Sequence, residues 1–199
     1  MPSSGSARPS PQRLRDQPPR ERILAVANDL FYRRGIRNVG IDEIIATAGV
    51  AKASLYNHFA SKDELIAEYV RRRGADWWEW FRNEVEARSS TSEGRLMAAF
   101  DVLGDWLAEA GFRGCALQNT SVELADRAHP AHQVVVTNKR GLRAYLTELA
   151  TGAGHGEPAA LGEQLSLLME GAIITAALEG TATPAVTARE AAERLLQRN

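Results

Sequence analysis

Lys52, Ser54, Tyr56, Asn57 and His58 fall within seven consecutive positions, and each can donate or accept a hydrogen bond. An ammonium, two hydroxyls, an amide and an imidazole gathered this closely suit contacts to the phosphates and base edges of DNA. Ala53 lies outward with them but cannot hydrogen-bond. A polar helix face is usually just solvated, but an outward tyrosine beside an amide and an imidazole is poorly explained by solvation alone.

Side chains that act together in this way need a helix whose other side is anchored. In IDEIIATAG, residues 41–49, the residues Ile41, Ile44, Ile45 and Ala48 share one face of a two-turn helix that Gly49 ends. Val50 to Asn57 forms the next short helix. Helices this short are marginal alone, because nucleation is costly and few hydrogen bonds follow it. They must pack on a third, which is ERILAVANDLFYRRG, residues 21–35. There Ile23, Ala27, Leu30 and Phe31 form a stripe, Pro18 and Pro19 mark the start, and Gly35 sits where a left-handed C-terminal cap belongs. Leu55 and Phe59 complete the core. A short helix, a turn at Ala48, Gly49 and Val50, and a second helix with a free outer face make the helix-turn-helix pattern.

Ser61 and Glu64 then give the S-x-x-E signature of a capping box, with Phe59 ahead of it. The helix they open is expected to run from Lys62 toward Arg88, carrying Arg71, Arg72 and Arg73 and then Trp77, Trp78, Trp80 and Phe81, with Gly74 as a point of bending. Breakers at 89–94, 111–114, 129–130, 151–158 and 179–184 divide the remainder into amphipathic helices. No stretch alternates in the manner of a strand. The fold class expected is all-α, about nine helices, with an N-terminal three-helix helix-turn-helix domain followed by a larger helical domain. Residues 1–19 read as a disordered basic arm, 20–65 as the helix-turn-helix domain and 66–199 as the second domain.

Charge is split along the chain. Residues 1–73 carry 13 Lys/Arg against 8 Asp/Glu, a net of +5, and the remainder carries 11 against 17, a net of −6. A basic end followed by an acidic body implies that only the first part meets a polyanion. Arg8, Arg13, Arg15 and Arg20 could follow a DNA backbone or enter a minor groove, or belong to a tail with no defined contact. No run of about 18 apolar residues is present, which argues against a membrane span. The Pro- and Ser-rich N-terminus lacks the apolar segment of a secretory signal. A single cysteine, Cys115, excludes an intramolecular disulfide and fits a reducing cytoplasm.

The stretch GIRNVGIDEIIATAGVAKASLYNHFASKDELI resembles the DNA-binding domain of the TetR family of bacterial repressors, in the order Gly, short helix, AGV turn, LYxHF and SKxxL. The likeness spans Arg20 to Leu65. It implies double-stranded operator DNA as a partner, a homodimer, and a C-terminal domain that binds a small-molecule effector which releases the DNA. By position in the family's motif, Lys52, Ala53 and Ser54 approach base edges with Asn57 close behind, and Tyr56 and His58 meet phosphates. Lys62 matches a lysine on the DNA backbone, at a helix N-terminus that itself favours an anion. One departure stands out. Gly40 occupies the place where many relatives have Ser or Thr, so a hydroxyl for a cap or a phosphate is missing, although glycine is an acceptable N-cap.

The second half gives broader expectations. Trp77, Trp78, Phe81, Phe100 and Trp106 cluster in the two helices that the family uses for its pocket, which implies an apolar or aromatic effector. GFRGCALQNTSVEL resembles a segment of one subset of the family that lines the cavity, which adds Cys115, Gln118 and Asn119; Met169 joins them from a later helix. A redox role for Cys115 would need a lowered thiol pKa. His129 and His132, with Pro130 between them and no third ligand near, make a poor metal site. No cofactor signature and no catalytic arrangement stand out. ALGEQLSLLMEGAIITAALEG is apolar on nearly all sides, with Leu165, Leu168, Ile173, Ile174, Ala177 and Leu178, and small Gly171, Ala172 and Ala176 for close helix approach. With TAREAAERLLQR it corresponds to the family's dimer interface of the last two helices. An activator of the same fold, or a small-molecule binding protein with a vestigial helix-turn-helix, stays open at this point.

Overall fold

The computed structural model describes residues 16–197, and the arginines at 8, 13 and 15 expected on a basic arm lie outside them. Among the described residues nine α-helices form and no strand does: α1 Pro19–Arg34, α2 Ile41–Ala48, α3 Lys52–His58, α4 Lys62–Arg88, α5 Ser92–Leu107, α6 Ala116–Glu123, α7 Pro130–Gly152, α8 Pro158–Glu179 and α9 Thr183–Leu196. From α4 onward each connection includes a breaker read from the sequence. By compactness the helices form two units. The first takes residues 16–75 and 116–136, and the second takes 76–115 and 137–197. The first unit therefore reaches beyond residue 65 and takes in α6, which the sequence places in the other domain.

In the first unit α1, α2 and α3 pack on one another. Ile23, Ala27, Ile44, Leu55, Leu65 and Val70 have no exposed surface, and the Phe31 ring meets Tyr69 edge-on at 5.5 Å. The expected stripe of α1 is the buried one. In α2 only Ile44 and Ala48 are buried, while Ile41 and Ile45 are half-exposed. Gly49 adopts the left-handed conformation at φ 62° and ψ 44°, which ends α2 and turns the chain into α3. The second short helix starts at Lys52 rather than Val50. Ala51 precedes it with extended backbone and no side-chain cap, so no local signal marked the boundary.

Gly35 ends α1 with positive φ as expected, but at ψ 152° it is not in the left-handed helical region; this backbone shape is tolerated essentially by glycine alone. The capping box at α4 is a variant. The Ser61 hydroxyl accepts from the Glu64 N–H at 3.1 Å, and the Glu64 carboxylate accepts from the N–H of Ala60 at 2.6 Å, one residue earlier than in the usual reciprocal pair. α4 passes through Gly74 without interruption.

In the second unit α9 packs against α8 and α5, and α5 against α8. Thr91 caps α5 by accepting from the Gly94 N–H at 3.1 Å. α7 and α8 approach so closely that a Cβ on Gly162 would lie 2.8 Å from the backbone nitrogen of Thr147. α8 has the length and composition of a membrane-crossing helix, yet it carries Glu163, Glu170 and Glu179 and 39% of its most apolar window is buried within the protein. Its exposed apolar residues are Leu167, Ile174 and Leu178.

Candidate nucleic-acid interface

α3 is held from one side only. Leu55 is fully buried and Phe59, just past its end, is 2% exposed, so the helix is anchored by these two residues. Lys52, Ala53, Tyr56, Asn57 and His58 are exposed and Ser54 is half-buried, which leaves six of the seven residues of α3 facing outward wholly or in part. Tyr56 is 45% exposed. An aromatic ring this open, with its hydroxyl free of the core, suits a phosphate or sugar contact. All the expected DNA-contacting residues except Lys62 thus lie on one short helix.

Two neighbours modify that surface. The Lys52 ammonium donates to the Asp42 carboxylate of α2 at 3.0 Å, and this hydrogen bond and the charge behind it hold the Lys52 pKa above its ordinary value. Both groups are open to solvent, so the pair adds little to stability. Lys62, the first residue of α4, donates through Nζ to the Ile36 carbonyl at 2.7 Å. Burial pushes its pKa down, opposed by the charges of Asp63 and Glu123. A lysine ammonium has three donors, so the bond to Ile36 leaves two for a phosphate oxygen.

Several other cations of this unit are engaged at home. Arg20 lies in the first turn of α1, not on a free arm, where it donates to Glu68 at 2.9 Å and stands 5.3 Å over the Phe59 ring. Arg71 pairs with Glu68 as well, Arg72 donates to both carboxylate oxygens of Glu21 at 2.6 and 3.1 Å, and Arg73 lies 4.5 Å over the Tyr32 ring. The hydrogen bond from Arg72 keeps the Glu21 pKa below its ordinary value. At Glu68 burial pushes the pKa upward, but hydrogen bonds from Arg20 and Arg71 outweigh it and the carboxyl ends below its usual range. This seam of ion pairs fastens α1 to α4. Gly40 starts α2 with no side-chain cap, as its lack of a hydroxyl requires.

The residues expected to line a pocket are divided between the two units. Trp77, Trp78, Phe81, Phe100, Trp106, Cys115 and Met169 belong to the second unit, whereas Gln118 and Asn119 belong to the first. Within the second unit the aromatics pack on one another. Trp77 stacks on Phe81 at 4.7 Å and tilts against Trp106 at 5.4 Å, and Trp78 meets Tyr145 edge-on at 5.4 Å. Phe100 and Met169 are buried to 1% and 0% exposure, which makes them core residues in this state. A cleft of about 300 Å³ opens elsewhere in that unit, lined by His155, Glu157, Ala160, Leu161, Gln164 and Leu195.

Several polar groups near the aromatics were not anticipated. The indole N–H of Trp77 and the hydroxyl of Tyr145 are buried without a hydrogen-bond partner. Burial, then the charge of Glu86, raises the Tyr145 pKa. Lys139 donates to Glu170 at 2.7 Å and lies 3.7 Å from the Cys115 sulfur. Tyr145, Lys139 and Glu170 come from α7 and α8, too far along the chain for spacing to connect them with Trp78 or Cys115. His129 and His132 are not brought together as ligands: the His129 imidazole accepts from the Ala131 N–H at 3.1 Å and lies 3.3 Å from Asp63. Among the described residues no group of three or more His, Cys, Asp and Glu is placed to hold a metal.

Comparison with known proteins agrees with this arrangement. Residues 23–69 match the family of bacterial regulatory proteins, tetR family, and residues 92–192 match the tetracyclin repressor-like C-terminal domain. A TetR-family transcriptional regulator from Streptomyces coelicolor superposes with a TM-score of 0.80 at 34% identity, over 90% of this chain and 94% of that one. A TetR-type regulator from Streptomyces avermitilis gives 0.74 at 30% identity, over 89% and 99%. The HTH-type transcriptional repressor NemR of Escherichia coli is 25% identical over 173 residues, 83% of this chain and 87% of that protein.

Proposed function

Because the chain belongs to the TetR family and is a DNA-binding transcriptional regulator of that type, we propose that it represses transcription by placing two copies of α3 in successive major grooves of a two-fold operator. The observation that carries this reading is the asymmetry of α3, where Leu55 is fully buried while Lys52, Tyr56, Asn57 and His58 are exposed. In the proposed complex Lys52, Ala53 and Ser54 approach base edges with Asn57 beside them, and Tyr56, His58 and Lys62 hold phosphates. The homodimer forms through α8 and α9. Leu167, Ile174 and Leu178 repeat at intervals of seven and four along α8, with the open Gly171 between them, and Val186 of α9 is 56% exposed. An apolar stripe of this kind is what a self-complementary interface covers.

The effector is a small apolar or aromatic molecule held in the second unit against Trp77, Trp78, Phe81 and Trp106, with Cys115 in reach. It carries a polar atom, since the Trp77 and Tyr145 donors are buried without partners and a ligand acceptor would satisfy them. It releases DNA only by binding more tightly to the state that fits the operator poorly. Selection of bound sequences from a random duplex pool tests the DNA reading. The wild type is expected to recover a roughly palindromic site, and Tyr56→Ala with Lys62→Ala should weaken it at least about tenfold and lower the salt slope by about 1 to 2. Failure of the wild type to prefer any sequence at physiological salt refutes the proposal.

A further inference from the structure

The turn that carries the chain from α1 into α2 is gripped by side chains from two other helices. On one side the Lys62 ammonium of α4 donates to the Ile36 carbonyl at 2.7 Å. On the other, the Glu123 carboxylate at the end of α6 accepts from the Arg37 N–H at 3.1 Å, 86 positions away in sequence. The same carboxylate lies flat against Gly35, where a Cβ would come within 3.0 Å of both of its oxygens. Gly35 is needed there twice over, because its φ of 82° disfavours any other residue and because the carboxylate fills the space. Ile36 and Val39 within the turn are buried, so a grip on the turn is a grip on the start of α2.

Resting on the DNA-binding reading above, we infer that Glu123 is a positioning residue for DNA recognition: its carboxylate holds the α1–α2 turn, and with it Lys62 and α2, where the operator needs them. Three bonded neighbours in sequence, Gly35, Ile36 and Arg37, meet Glu123, Lys62 and Glu123 in turn. Removing the carboxylate leaves the Arg37 N–H to water and leaves Lys62 as the remaining side-chain grip on the turn from another helix. The segment after α6 also meets α4, because His129, in the loop that follows α6, lies 3.3 Å from Asp63, the residue next to Lys62. Residues 116–136 are thus part of the first unit, while the chain on both sides of them belongs to the second.

Two variants separate the grip from simple charge. Glu123→Gln and Glu123→Ala both remove the negative charge beside Lys62, and with it any repulsion of DNA, but only Gln keeps an oxygen that can accept from Arg37. Binding to the duplex recovered by selection is measured for both, with circular dichroism melts to establish that each variant is folded. Glu123→Ala is expected to bind about fivefold more weakly than Glu123→Gln, the effect of losing one modest hydrogen bond from the competent state, with the same salt slope for both. Equal affinities overturn the inference. The Arg37 amide supplies a second readout that needs no DNA. Its hydrogen exchange should be slower in the wild type and in Glu123→Gln, which keep an acceptor, than in Glu123→Ala. Equal exchange in all three also overturns the inference, whereas a wild type with no sequence preference overturns the DNA-binding reading instead.

Discussion

Replacing Leu167 and Leu178 together by Asp should turn a dimer into a folded monomer. The two side chains are 67% and 79% exposed in the isolated protomer, so carboxylates there meet water and disturb no packing. Fully burying a leucine is worth roughly 1.5–3 kcal/mol, so covering the exposed parts of both residues contributes about 2–4 kcal/mol per protomer. A two-fold pair doubles this to about 4–9 kcal/mol, and the lower end alone is about a thousandfold in dissociation constant. The substitution also brings four carboxylates into one apolar interface, where their desolvation opposes association. Sedimentation velocity over a hundredfold range of concentration reads the outcome, with far-ultraviolet circular dichroism to follow the helices. The variant should sediment as a monomer with wild-type helicity. If it remains a dimer over the range in which the wild type does, or loses its helices, the stripe on α8 is not the interface and the reasoning fails.

Two further outcomes follow from contacts in single units. Glu21 and Glu68 have pKa values below the ordinary carboxylate range, so the stability that their arginine partners confer is fully present above the unfolded value, about 4.3, and is lost as pH falls through the folded values; thermal melts from pH 7 to pH 3 should show a loss that is smaller in Glu21→Gln, Glu68→Gln. Gly162→Ala should lower stability by about 1–3 kcal/mol, because the new Cβ would sit 2.8 Å from the Thr147 nitrogen and 2.9 Å from its Cα, neither of which is free to move aside. Urea unfolding with an unchanged m-value measures that loss.

What could be read from the sequence was whatever depends on near neighbours. The stripe of Ile23, Ala27, Leu30 and Phe31, the stop at Gly49 and the outward set on α3 are all fixed by periodicity and by one residue's backbone freedom, and each is found where the pattern put it. The start of α3 was misplaced by two residues because Ala51 ends its turn without a side-chain cap. Long-range partners left no trace. Nothing in the sequence pairs Glu123 with Arg37, Arg72 with Glu21 or Tyr145 with Trp78, since each is a meeting of helices far apart along the chain. Arg20 looked like part of a basic arm because Pro18 and Pro19 precede it and arginines lie before them, and only the fold sets Glu68 beside it. The pocket residues rested on residue type and on likeness to the family's pocket helices, and neither separates a cavity wall from a side chain as buried as Phe100 or Met169.

The close crossing of α7 and α8 also decides what kinds of motion the second unit can make. With the backbone of Thr147 seated where a side chain of residue 162 would be, neither helix can slide lengthwise past the other without driving main-chain atoms into contact. Rolling about that point costs far less, so the crossing is a fulcrum. Rearrangement in this unit then takes the form of a tilt, in which the helix ends move much and the middle stays put.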